Sequence, residues 1–252
     1  MDGVLSQEEI NALLNNNDAA DSSDEILTES EKDAIGEIAN ISMGTAATTL
    51  FSLVNRRVEI STPVVSFSNW DKMVDEYEKP CVFIKIGYTQ GLNGSNILVL
   101  KEKDVKIITD LMMGGDGTNI NGEIGELHLS AISEAMNQMM GSSATSLSSM
   151  LNRTIDISPP IAEVVDLKNT LNEGEIDSFL SEEFVKISFR MEIGDLVDSE
   201  IMQLYPPAFV KEMCKGVSQN MELDTQSVTE DVPQSSNTAT QAAPIQQPQD
   251  VY

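Results

Sequence analysis

The sequence predicts an α+β fold: one pseudo-twofold domain of two repeated halves, each with one long helix on an antiparallel sheet plus a shorter helix. Three observations predict it. Residues 29–63 match residues 126–160 without a gap at a constant offset of 97 (Glu29 to Glu126). Glu37 falls on Glu134, Asn40 on Asn137, Met43-Gly44 on Met140-Gly141, Asn55-Arg56 on Asn152-Arg153 and Pro63 on Pro160. That period is too long for a solenoid unit and reads as two similar halves. Each copy opens with helical periodicity, and the strand-like runs that follow are joined by short turns, which favours antiparallel pairing.

Residues 1–15 read as an amphipathic helix: Ser6-Gln7-Glu8-Glu9 has the capping-box pattern, and Ile10, Leu13 and Leu14 share a face. A helix that short cannot bury its face alone, so it docks either on its own domain or, as its acidic surroundings favour, on a partner. Residues 16–27 are polar and read as a flexible tether. The globular domain spans 28–216, with repeats at about 28–122 and 125–216. It opens on a second capping box, Thr28 to Glu31, and a helix to about Val54.

Val58 to Phe67 alternates like a strand, with Pro63 marking an edge or a bulge. Cys81 to Thr89 and Asn96 to Leu100 read as a hairpin around Gly91 to Gly94, and Lys101 to Met113 as a helix stopped by Gly114-Gly115. The second half repeats the order: a helix over about 125–152, a strand over 155–165, a polar loop, strands at 183–193 and 196–205, and a helix after Pro206-Pro207. From 217 to 252 the chain is rich in Gln, Ser, Thr and Pro and reads as a disordered tail or linker.

A net charge of −26 opposes binding to nucleic-acid phosphates or anionic lipid. No apolar run nears the roughly 18 residues that cross a bilayer, so no membrane insertion is expected and the cytosol is the expected compartment. Cys81 and Cys214 lie far apart and His128 is the lone histidine, so neither a disulfide nor a metal site is expected.

At about 100° per residue, Ile35, Ile38, Ala39, Ser42, Ala46, Leu50 and Leu53 form one stripe of the first helix, and Asp33, Glu37, Asn40 and Gly44 an opposing polar one. The second helix repeats this with Ser130, Glu134, Asn137 and Gly141. A glycine inside a helix costs about 1 kcal/mol relative to alanine. Gly44 and Gly141 therefore mark either close approach by a partner or close packing of helix on helix. An exposed Glu or Asn is ordinarily a solvated side chain, and only the four-position match in both copies lifts these above that reading.

Each copy reads [Asp or Ser]-x3-Glu-x2-Asn-x22-Pro: Asp33, Glu37, Asn40 and Pro63, then Ser130, Glu134, Asn137 and Pro160. In this pattern residues 28–216 resemble the CheC/FliY/CheX family of response-regulator phosphatases. The segment Leu5-Ser6 to Leu14 is similar to the regulator-binding peptide of flagellar motor switch proteins, departing from it at Asn11, where Asp is expected.

The resemblance implies hydrolysis of the aspartyl phosphate of a chemotaxis response regulator (CheY-like). Glu37, Asn40, Glu134 and Asn137 are its catalytic residues, Leu5, Ser6, Ile10, Leu13 and Leu14 bind the partner, and Pro63 and Pro160 have a structural role. It implies no cofactor of the chain's own, with Mg2+ expected in the phosphorylated partner, and other flagellar switch proteins as neighbours at the basal body. Motor switch members of the family also carry a FliN-like assembly domain, and this sequence stops at Tyr252 where the linker to it would lie. The alternative is a non-enzymatic switch adaptor that binds phosphorylated regulator.

Overall fold

The computed structural model describes residues 26–77, 80–169 and 173–227. The expected cap at Thr28 forms: its side chain accepts from the Glu31 amide at 3.2 Å, and Glu31 Oε2 accepts from the Thr28 amide at 2.9 Å. From it runs α1, Glu29–Val54, followed by β1 (Val58–Ile60) and β2 (Val64–Ser68). A short helix α2 (Trp70–Glu76) precedes the hairpin of β3 (Cys81–Gln90) and β4 (Gly94–Lys101), and α3 (Glu102–Met112) closes the first half. The second half holds α4 (Glu126–Leu151), β5 (Asp156–Ile157) and β6 (Ile161–Val165). Two 3-10 turns then lead to β7 (Phe184–Ile193), β8 (Val197–Tyr205) and α5 (Pro207–Ser227).

All strand pairs are antiparallel in one eight-stranded sheet, with the main path β1-β7-β8-β4-β3-β5, β2 also on β7 and β6 also on β3. The halves exchange strands. β1 and β2 of the first half line β7 of the second, and β5 and β6 of the second line β3 of the first. Each strand run after a long helix is split at the motif proline. Ile60 pairs with Met191 and Val64 with Ser188, so four steps on the edge strand oppose three on β7. Ile157 to Ile161 opposes Tyr88 to Lys85 in the same way. That extra residue is a bulge, the place where a proline's missing N–H is tolerated.

The apolar stripes of α1 and α4 lie on one face of the sheet in a core that includes Ile35, Leu50, Ile132, Met136, Ile84 and Ile187. Equivalent methionines meet there: buried Gln203 donates through Nε2 to Met43 Sδ at 3.3 Å and approaches Met140 Sδ at 4.0 Å. The opposite face is covered by a smaller cluster around Trp70, Met73, Phe83 and Phe184.

Three expectations need correction. The first half carries the additional helix α2, capped by the Asn69 side chain on the Lys72 amide and held by burial of Trp70 and Met73. Ile26 and Leu27 belong to the core and not to a tether, Leu27 being fully buried. Helix α5 runs to Ser227, past the boundary expected at 216. Val217 still packs on the core, and a helix already docked extends at little cost through Met221, Glu222 and Leu223, whose residue types favour helix. Leu5, Ser6, Ile10, Leu13 and Leu14 lie outside the described residues, as does the chain from 228.

Candidate functional site

Both long helices present the expected polar stripe to solvent. Asp33, Glu37 and Gly44 are exposed on α1 and Asn40 is half-buried. On α4, Ser130 and Glu134 are exposed and Asn137 and Gly141 are half-buried. Among the described residues neither Asn40 nor Asn137 has a side-chain hydrogen bond, so both carboxamides are available to an incoming group. Glu and Asn three positions apart are neighbours on a helix surface, which makes each pair a single surface patch.

The first pair lies in a depression of about 380 Å3 whose walls include Lys32, Asp33, Glu37, Asn40, Thr62 and Pro63. The helix supplies the acid and the amide. The bulge between β1 and β2 supplies the opposing wall, and it is pinned to β7 by the Ser61 amide on Arg190 O at 2.9 Å and the Arg190 amide on Ser61 Oγ at 3.0 Å. Pro63, expected to be structural rather than catalytic, is also a wall of the depression. Thr62 and Lys32 are wall residues that the repeat did not mark, since their counterparts are Pro159 and Leu129.

Lys32 is committed locally. Its Nζ pairs with Glu29 at 2.5 Å and stands 5.2 Å from the Phe67 ring centroid. The other charged residues of the depression, Glu29, Asp33 and Glu37, are all acidic, which suits a cationic side chain on a docking partner.

Gly44 and Gly141 sit in the open: a Cβ at either would meet no atom within 4 Å. Packing of helix on helix therefore does not require glycine at these positions. The second pair differs from the first in one bond, since Gln138 Nε2 donates to Glu134 Oε1 at 2.7 Å. Glu37 has no side-chain partner among the described residues, and the position equivalent to Gln138 is Ile41.

Other reactive groups lie elsewhere. Cys81 and Cys214 are buried thiols outside any disulfide, each pushed up from 9.0 to about 11 by burial. His128 Nδ1 accepts from the Gly125 amide at 3.2 Å at the start of α4, a capping role. Among the described residues no group of three His, Cys, Asp or Glu side chains is placed to hold a metal, and no helix is long and apolar enough to cross a membrane.

A profile of the CheC-like family matches residues 31–67 and 127–164, the two segments that carry these pairs. The flagellar motor switch phosphatase FliY of Bacillus subtilis is 47% identical over 218 residues, which is 84% of this chain and 57% of that protein. The chain therefore spans little more than half the length of that relative. A crystal structure of Thermotoga maritima FliY is 42% identical and superposes with a TM-score of 0.70, covering 77% of this chain and 99% of that one. The middle domain of FliM from H. pylori shares the fold alone, at 13% identity and a TM-score of 0.60, over 75% of this chain and 99% of that one.

Proposed function

The chain belongs to the CheC-like family, and from that premise we propose that it is a phosphatase of the aspartyl phosphate on a chemotaxis response regulator. The observation that carries this reading is the pair of solvent-facing Glu–Asn patches, one on each long helix, with both carboxamides unengaged among the described residues. An acyl phosphate is reactive, so its hydrolysis needs chiefly a water held in line with phosphorus. A carboxamide can hold that water without a pKa near neutrality.

In this reading Asn40 and Asn137 each align one water. Glu37 and Glu134 pair with a lysine beside the regulator's phosphorylated aspartate and fix the docked orientation. The water oxygen bonds to phosphorus as the bond to the aspartate oxygen breaks, leaving a free carboxylate and inorganic phosphate. A carboxylate leaves readily, so no protein acid has to protonate it. Mg2+ is held in the regulator's own acidic pocket. The segment with Leu5, Ser6, Ile10, Leu13 and Leu14 captures the regulator, and the protein works among other flagellar switch proteins, peripheral to the basal body on its cytoplasmic side.

A second reading, a non-enzymatic switch adaptor that binds phosphorylated regulator, draws on the fold shared with FliM. The lifetime of the regulator's phosphate with catalytic amounts of this protein separates the two. A shortened lifetime supports the phosphatase, and an unchanged lifetime with retained binding supports the adaptor.

A further inference from the structure

Each copy carries a serine that the repeated motif leaves out. Ser61 stands two positions before Pro63 and Ser158 two positions before Pro160, so the two are equivalent in the repeat. Ser61 donates its amide to Arg190 O at 2.9 Å, and its Oγ accepts from the Arg190 amide at 3.0 Å. Ser158 treats the strand opposite its own bulge in the same way. Its amide donates to Gly87 O at 2.8 Å, and its Oγ accepts from the Gly87 amide at 3.1 Å.

Strands in an antiparallel ladder exchange a pair of backbone bonds at every second residue pair. At Ser61–Arg190 and at Ser158–Gly87 the hydroxyl stands in for the serine's carbonyl in that exchange. A side chain that completes the ladder lets the next peptide leave the sheet without orphaning the opposite N–H. The chain then turns into the bulge and reaches its proline two residues on. In the first copy the Ser61 hydroxyl also donates to Thr62 O at 3.4 Å, which ties the departing peptide to the same anchor. The surroundings of the two serines differ, with Thr62 against Pro159 inside the bulge and Arg190 against Gly87 across from it. What recurs is the hydroxyl and its bonds.

The bulge anchored in this way is a wall of the site. Thr62 and Pro63 line the first depression together with Glu37 and Asn40, and the equivalent Pro160 is buried. We propose, on the phosphatase reading, that Ser61 and Ser158 are positioning residues for the reaction. Each locks the proline wall beside its Asn and so fixes how a docked receiver domain presents its phosphoryl group to the carboxamide. Neither hydroxyl touches the reacting atoms. Its loss lets the wall shift, and in-line attack by one aligned water tolerates little displacement, so the effect falls on kcat more than on KM.

The experiment uses the full chain and a receiver domain phosphorylated by a small acyl-phosphate donor, with rate measured against receiver concentration. Asn137→Ala leaves the first copy to work and Asn40→Ala the second, and each serine variant is compared with its own parent. Ser61→Ala should lower kcat about tenfold in the Asn137→Ala chain, with KM within about twofold, and leave the Asn40→Ala chain at its parent's rate. Ser158→Ala should do the reverse. Ser61→Thr and Ser158→Thr, which keep the Oγ, should hold kcat within about twofold of the parent.

Unchanged kcat in all four combinations of Ser→Ala and parent overturns the proposal and leaves the phosphatase reading intact. An equal loss in both backgrounds does so too, because it marks a general weakening of the fold, and a variant that fails to fold gives that same result. A loss that threonine shares with alanine also overturns it. No acceleration of phosphate release by the wild-type chain overturns the phosphatase reading itself, and the proposal falls with it.

Discussion

Asn55 and Asn152, equivalent residues of the two copies, hold the same left-handed backbone at φ 48° and 47°, each closing its long helix by donating its backbone N–H to the carbonyl four residues back, Phe51 and Ser148. Asparagine tolerates this conformation because its short amide can bond locally, while a plain Cβ residue is strained in it. Replacing either by Ala should lower stability by about 1 kcal/mol, and replacement by Gly should be close to neutral. Urea unfolding of the two pairs of variants checks this.

A polar contact, Thr49 Oγ1 to Ser142 Oγ at 2.6 Å, stitches the long helices together. A double-mutant cycle with Thr49→Val and Ser142→Ala should return a coupling of about 1 kcal/mol, the usual net value of a hydrogen bond. Additive single effects would show that the contact contributes nothing.

Gly44→Ala and Gly141→Ala should each stabilise the fold by up to about 1 kcal/mol, because alanine is the better helix former and the added methyl meets no atom. The same variants should weaken turnover of phosphorylated regulator if a partner's backbone approaches there. Thermal melts and phosphate-release rates on one preparation give both numbers.

Burial lifts the thiols of Cys81 and Cys214 from 9.0 to about 11. A folded-state pKa above the unfolded one means that their contribution to stability is complete below pH 9 and is lost as pH rises through 11. The urea midpoint should therefore fall between about pH 9 and pH 11, and Cys81→Ala with Cys214→Ala should flatten that fall.

Much of the fold was legible in residue pattern. The Thr28–Glu31 cap, the hairpin turning through Gly91 to Gly94 and the bulge at Pro63 were all readable, because each depends on residues close in sequence. The strand exchange was not. Whether β1 pairs within its own half or with β7 depends on contacts more than 100 positions away, and no local signal encodes it. Helix α2 was missed because its seven residues are too few to show a period and are held by the burial of Trp70 and Met73.

At the site, periodicity alone put Glu37, Asn40, Glu134 and Asn137 on open faces. It could not supply Thr62 or Pro63 as walls, since the bulge reaches α1 only after β2 has paired with β7. Nor did the repeat warn that the copies diverge at Gln138, where a single substituted position ties up the neighbouring carboxylate.

In the proposed reaction two helical carboxamides align the attacking water. Release of inorganic phosphate from radiolabelled phosphorylated regulator, with the wild-type chain and with Asn40→Ala plus Asn137→Ala, tests it most directly. The double variant, although folded and still able to bind the regulator, should release phosphate no faster than the regulator alone. Equal release by wild type and double variant would contradict it.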